Sequence, residues 1–162
     1  MRRREDLPKD ASHESLCRRC GVSCHLAIPV NGVAVTVPRL RCKHLRELER
    51  GAFTCSVYAE RLVVAPWCHH ADEAGPLGFL ARDCPYALRD GWRTGKVSPG
   101  KAALAQIWPT LLAEIQRVGV PEWVDQAAFT AELDAREGPG VYTLAPDAAA
   151  PGRLTIVRSG AL

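Results

Sequence analysis

The chain has 162 residues, of which 47% are hydrophobic and 24% are charged, and its formal net charge at pH 7 is +3. This composition is typical of one globular domain with a buried core, and no apolar run approaches the roughly 20 residues that span a membrane. The arginine-rich stretches lack the interleaved aromatic residues that stack on bases, so we favour a solvated face over a nucleic-acid-binding surface.

Composition divides the chain into three regions. Residues 1–15 are polar and charged and are expected to form a tail. Residues 16–95 contain every cysteine and most of the turn-forming residues, whereas residues 96–162 contain no cysteine and have the patterns of ordinary helices and strands. Because no flexible linker separates the last two regions, we expect them to belong to the same domain.

The cysteine-rich region opens with the segment Cys17-Arg18-Arg19-Cys20-Gly21-Val22-Ser23-Cys24. Two thiols three positions apart on a tight turn can bind one metal ion, and a third thiol four residues later can close over it. The spacing therefore predicts that Cys17, Cys20 and Cys24 are ligands of the same metal.

Two elements are predicted after this cluster. The apolar runs 26–30 and 33–37 flank Asn31-Gly32, which is the strongest short-range signal for a β-hairpin because both central residues accept a positive φ. Residues 44–50 are expected to form a short helix that ends at Gly51.

Three further thiols lie in polar or turn-rich stretches, where irregular backbone can aim a thiolate at a metal: Cys42, Cys55 and Cys68. Each of four histidines neighbours a cysteine and is an additional candidate ligand, with the first two favoured: His25, His44, His69 and His70. The odd thiol, Cys84, is expected to be a small buried apolar residue, although it could also complete the coordination shell.

Residues 17–70 resemble the YkgJ-like family of bacterial cysteine-cluster proteins, which are described as zinc- or iron-chelating. The matching positions are Cys17, Cys20, Gly21, Cys24, Cys42, Leu45, Cys55, Tyr58, Arg61, Pro66 and Cys68. The chain departs from the family at Ser23, where the family has a cysteine, and in the residues inserted between Arg61 and Pro66. The resemblance implies that the six matched thiols bind metal and that Tyr58 and Arg61 donate hydrogen bonds near the thiolates.

The C-terminal region predicts two helices and a pair of strands. Ser98 is a good N-cap for a helix that follows an apolar stripe as far as Gly119, with a kink at Pro109. A second helix is predicted from about Pro121 to Arg136. Residues 141–144 and 153–157 then have the pattern of two strands. The predicted fold is a small single-domain α+β protein, with a metal-organised N-terminal half of a hairpin and short helices, and a C-terminal helical pair followed by a short hairpin.

Zinc is the favoured metal, because four thiolate or imidazole ligands in a closed tetrahedron can hold irregular backbone together. Iron, or an iron–sulfur cluster, is the alternative, since thiolates with similar short spacings hold such clusters. Six thiols are more than one tetrahedral site needs and fewer than two separate sites need. The number of metal ions therefore stays open.

A disulfide framework is the other interpretation of clustered cysteines. Secreted disulfide domains usually have a signal peptide and an even number of cysteines, whereas this chain has seven, and the basic residues 2–4 precede no apolar segment. We therefore expect a cytoplasmic protein with reduced thiols.

The favoured function is metal binding with a structural metal. The alternatives are an iron–sulfur or metal-dependent redox or modifying enzyme, and a nucleic-acid-binding zinc module. Signatures of metalloproteases, P-loop enzymes, α/β-hydrolases and zinc deaminases are absent from the sequence.

Overall fold

The computed structural model describes residues 17–92 and 94–160, so the predicted polar tail at 1–15 lies outside the described residues. The strands are β1 (His25–Val30), β2 (Val33–Arg41), β3 (Leu45–Glu47), β4 (Phe53–Cys55), β5 (Val120–Pro121), β6 (Tyr142–Pro146) and β7 (Arg153–Arg158). The α-helices are α1 (Arg61–Val64), α2 (Ala71–Ala74), α3 (Pro85–Asp90), α4 (Lys101–Val118) and α5 (Gln126–Glu137). These elements confirm the α+β class.

The chain divides into two compact units, each built from two separate segments. The first unit contains the residues up to Cys24 together with His44–Ser98. The second contains His25–Lys43 together with the residues from Pro99 onward. The hairpin β1–β2 therefore belongs to the same unit as the C-terminal helices, and every cysteine except Cys42 belongs to the first unit.

The second unit is organised around the predicted hairpin, which the structure confirms. β1 and β2 pair antiparallel, and the turn between them has positive φ at Asn31 (50°) and Gly32 (78°). Helix α4 contacts β1, α5 contacts β2, and β5, β6 and β7 form an antiparallel sheet with β7 in the middle. One apolar core joins these elements: Ile28, Val35, Val37, Leu40, Leu104, Trp108, Leu111, Leu112, Ile115, Val120, Val124, Phe129, Leu133 and Leu154.

Both C-terminal helices start later than predicted. Helix α4 has Gly100 rather than Ser98 as its N-cap, continues through Pro109 and ends before Gly119 as expected. The predicted start of α5 at residue 121 is wrong, because Val120–Pro121 forms β5 against β7. The helix begins instead at Gln126. Its N-cap residue is Asp125, whose carboxylate accepts a hydrogen bond from the Ala128 amide at 3.0 Å.

The helix predicted for residues 44–50 is also wrong. Leu45–Glu47 forms strand β3, which pairs antiparallel with β4. The turn between the strands has positive φ at Arg50 (60°) and at Gly51 (72°). Leu45 is buried opposite Cys55, so pairing with a later segment overrides the weak helix preference of this stretch.

The core of the first unit is small. Its main apolar cluster consists of Ala74, Leu80, Tyr86 and Ala87, with Ala71 and Cys84 packed at its edge. Two of these members are alanines, which bury little apolar surface, so this cluster contributes much less hydrophobic stabilisation than the core of the second unit.

Truncation of the second core is expected to be costly. Leu111 is fully buried in α4, whereas Val118 at the end of the same helix is 43% exposed. Replacement of Leu111 by alanine should lower the free energy of unfolding by about 2–5 kcal/mol, because it removes buried methyl groups and leaves a cavity. Val118→Ala, the matched control, should change it by less than about 1 kcal/mol. Urea unfolding followed by circular dichroism measures both, and equal losses would contradict the assigned core.

Candidate metal centre

The segment Cys17–Cys24 forms a tight loop that is stabilised by its own backbone. The Arg19 amide donates a hydrogen bond to the Cys17 sulfur at 3.4 Å, and the Cys24 amide donates one to the Gly21 carbonyl at 3.0 Å. Arg19 and Gly21 both have positive φ, at 55° and 71°. A left-handed glycine and an amide directed at sulfur are compatible with a metal-binding turn.

Strand β4 holds the cysteine loop in place. The Phe53 amide donates a hydrogen bond to the Arg19 carbonyl at 2.8 Å, and the Phe53 ring lies so close to Gly21 that a Cβ there would be 2.7 Å from ring carbons. Side chains two residues apart on a strand point to the same face, and Cys55 is two residues after Phe53. Alternation along the strand therefore puts Cys55 on the same face of β4 as Phe53.

Lys96 lies beneath the loop and is only 9% exposed. Its ammonium group donates a hydrogen bond to the Ser23 carbonyl at 3.1 Å and lies 5.6 Å from the centre of the Phe79 ring. Burial lowers the pKa of Lys96 to about 8, and the negative charge of Cys24 opposes this effect by favouring the protonated amine. The buried ammonium group of Lys96 therefore interacts electrostatically with the last thiol of the loop.

Arg18 ties the loop to the segment that precedes α3. It donates hydrogen bonds to both carboxylate oxygens of Asp83, at 3.0 and 3.3 Å. This pairing raises the pKa of Arg18 and lowers that of Asp83. The Arg18 guanidinium also interacts electrostatically with the Cys20 and Cys84 thiols.

The other predicted ligands occupy different surroundings. Cys68 follows α1, with its amide bonded to the Ala65 carbonyl at 2.8 Å. Cys42 lies in the second unit, is 9% exposed and forms an isolated β-bridge with Val124. Cys84 is the N-cap residue of α3 and packs against the small apolar cluster. All seven cysteines lie within the described ranges and are free thiols.

Two of the candidate histidines contact nearby side chains. Tyr58 and Arg61, which the resemblance places near the thiolates, contact each other. His69 Nδ1 lies 3.1 Å from a carboxylate oxygen of Glu73, and the His44 ring stacks on Trp67 with centroids 6.0 Å apart. The Arg61 guanidinium lies 4.0 Å from the centre of the Tyr58 ring and donates to the Tyr58 carbonyl at 2.8 Å. His25 starts β1 in the second unit, and His70 precedes α2.

Thiol side chains are suitable ligands for zinc or iron. The backbone of the Cys17–Cys24 loop is compatible with a metal-binding turn. Within residues 17–92 and 94–160, however, no three His, Cys, Asp or Glu side chains are positioned to hold a metal ion. Binding through three or four of these thiols therefore requires their side chains to rotate, or the loop to adjust, from the positions seen here.

Comparison of the chain with protein-family models, with curated proteins and with solved structures finds no match. Of the helices in the described part of the chain, none has the length and apolar character needed to cross a membrane.

The contact between Gly21 and Phe53 can be tested with a matched glycine. Gly21 and Gly51 have nearly the same φ, 71° and 72°, but a Cβ at Gly51 would meet no atom within 4 Å. In both alanine variants, backbone strain should lower the free energy of unfolding by about 1–2 kcal/mol. Gly21→Ala should lower it by a further ~1–3 kcal/mol, because the Phe53 ring must move. Unfolding in urea gives both values. Equal losses would contradict the packing of Phe53 on the loop.

The burial of Lys96 predicts a pH dependence of stability. Because the pKa of Lys96 is about 8 in the folded protein and 10.5 in a solvated lysine, the unfolded chain binds more protons between these two pH values. The free energy of unfolding should therefore rise between pH 8 and 10.5, by up to about 3 kcal/mol for this one group. Lys96→Met should remove that rise. The measurement is urea unfolding of both proteins across this range, and parallel curves would contradict the prediction.

Proposed function

We propose that the chain is a metal-binding protein whose Cys17–Cys24 loop holds a zinc ion with a structural role. The observation that carries the proposal is the loop itself: a C-x-x-C turn with a backbone amide directed at the Cys17 sulfur and a glycine in the left-handed conformation. Zinc accepts four thiolates in a closed site that has no open position for a reaction. The resemblance of residues 17–70 to zinc- or iron-chelating proteins supports the same assignment.

Cys55 is our proposed fourth ligand within the first unit. It lies on the face of β4 that meets the loop, since Phe53 on the same face packs on Gly21. Cys17, Cys20, Cys24 and Cys55 would together form a four-thiolate site. Cys42 and Cys68 remain candidates for a second or shared site, as the resemblance implies.

The composition of the first unit supports a structural role for the metal. Its main apolar cluster has four members, two of them alanines, and its α-helices have four to six residues. Short helices and a small core supply little folding free energy, and a bound metal can supply the remainder because ligand binding is coupled to folding. Thiols that bind a metal must stay reduced, as they do in the cytoplasm, so we also propose a cytoplasmic location.

Cysteine substitution tests the proposal directly. Cys20→Ser should lose the metal and destabilise the first unit, because serine is a poor zinc ligand and the site then lacks one thiolate. The matched control is Cys84→Ala, which changes a thiol outside the proposed ligand set and should leave the metal content unchanged. Elemental analysis of anaerobically purified protein and thermal unfolding give the two readouts.

The outcomes discriminate among the assignments. Zinc in a colourless wild-type protein supports the structural site. Iron with visible charge-transfer absorption would instead assign an iron–sulfur cluster to the loop. Full metal content and an unchanged melting temperature in Cys20→Ser would overturn the proposal. Loss of one equivalent of metal in Cys84→Ala would instead assign that thiol to the coordination shell.

A further inference from the structure

Strand β6 forms one edge of the three-stranded sheet in the second unit, where it pairs with β7. Within the described residues, no strand pairs with its other side. The N–H and C=O groups along the edge of a sheet form a template for another extended chain. The kind of chain that fits depends on which of these groups point outward.

The bonding to β7 shows which residues of β6 point outward. The Ser159 amide donates a hydrogen bond to the Val141 carbonyl at 2.7 Å, directly before the strand and in the register that continues through it. Hydrogen-bonded and non-hydrogen-bonded pairs alternate along an antiparallel ladder. The odd-numbered residues of β6 therefore bond to β7, and Tyr142 and Leu144 direct their N–H and C=O groups to the outer edge.

This outer edge is symmetric about Thr143. Tyr142 and Leu144 lie on either side of it, and each supplies one donor and one acceptor. Their side chains pack against the apolar core, whereas the Thr143 side chain is exposed. Pro146 at the end of the strand also faces outward, but it has no N–H group to donate. The order of donors and acceptors therefore makes the edge complementary to an antiparallel copy of itself.

Other strands of the chain have features that oppose further pairing. Pro29 interrupts β1, β5 has two residues and ends at Pro121, and β3 and β4 have three residues each. Short strands, prolines and charged side chains are the usual protection of sheet edges. β6 has five residues, none of them charged, and its proline is the last residue. The first four residues of β6 therefore lack this protection.

We propose that the protein forms a weak homodimer in which β6 pairs antiparallel with β6 of a second copy, centred on Thr143. In this register the Tyr142 amide donates to the Leu144 carbonyl of the second copy, and the Leu144 amide donates to its Tyr142 carbonyl. Twofold symmetry repeats both bonds, so the outward donors of Tyr142 and Leu144 are used in both copies. The proposal concerns the second unit and does not depend on the metal site.

The length of β6 limits both the register and the strength of this contact. A pairing centred on Leu144 would place the Pro146 ring opposite the Tyr142 carbonyl of the second copy, to which it cannot donate a hydrogen bond. A five-residue strand also buries less area than a permanent interface does. The dimer should therefore be reversible, with a dissociation constant of roughly 10 μM to 1 mM.

Sedimentation equilibrium of the full-length protein measures this association, in a reducing buffer that excludes disulfide-linked dimers. The mass of the wild-type protein in solution should rise from that of a monomer toward that of a dimer as its concentration approaches about 1 mM. The amide chemical shifts of Tyr142 and Leu144 should change over the same range. A mass that stays at the monomer value throughout would overturn the proposal.

Charge at position 143 tests the register. Thr143 would face its own copy across the symmetry axis, with Cβ atoms about 4.5–5.5 Å apart. Thr143→Lys and Thr143→Glu should each raise the dissociation constant by about fivefold or more, because like charges then meet. An equimolar mixture of the two variants should restore the wild-type association, because lysine then faces glutamate.

The matched controls are Thr110→Lys and Thr110→Glu, because Thr110 is an exposed threonine on α4. Both should associate as the wild-type protein does. Circular dichroism checks that each variant is folded, as we expect for a change at an exposed position. Association that is unchanged in both Thr143 variants would overturn the proposed pairing, and so would a loss that the equimolar mixture fails to restore.

Discussion

The cysteine-rich unit depends on the close approach between the Phe53 ring and Gly21. Any side chain at position 21 would overlap the ring, and the neighbouring hydrogen bond from Phe53 to the Arg19 carbonyl holds the same loop on the same strand. An irregular loop of eight residues has little stability by itself, because each ordered residue loses conformational entropy. Its attachment to β4 supplies a fixed frame on which three thiols and Cys55 can be arranged.

Charge is the second constraint on this unit. Lys96 interacts electrostatically with Cys24, and Arg18 with Cys20, which would suit thiolate ligands at the cysteine loop. A thiolate buried without a cation would be strongly disfavoured, and so would a buried lysine without an anion. Each group thus lowers the cost of burying the other.

Local signals in the sequence were sufficient for part of the fold. Asn31-Gly32 specifies a hairpin through its own backbone preferences, and Gly119 ends a helix for a similar reason, so both were predicted correctly. Leu45–Glu47 was missed because its strand exists only by pairing with β4, which a helix propensity scale does not detect. The late start of α5 depends on the pairing of Val120 with β7, more than thirty residues later in the chain.

The candidate site shows the same division. The spacing of Cys17, Cys20 and Cys24 is visible in one segment of sequence, whereas Lys96 lies more than seventy residues later, in a stretch with no motif. Its role is set by burial and by a hydrogen bond to Ser23, neither of which has a sequence pattern. Gly95 is the only local signal, since a glycine before a lysine can mark a close backbone approach, but it is too common to be specific.

The division of the chain into two interrupted units has a consequence for how it is made. The hairpin β1–β2 emerges from the ribosome before the helices that cover it, because α4 begins about sixty residues after β2 and α5 begins later still. The apolar face of the hairpin therefore remains exposed to solvent or bound by a chaperone while the rest of the first unit is synthesised. Contacts between such distant segments also slow folding. For the same reason no single cut yields both units as continuous fragments, and expression of either unit alone requires the hairpin segment to be excised or rejoined.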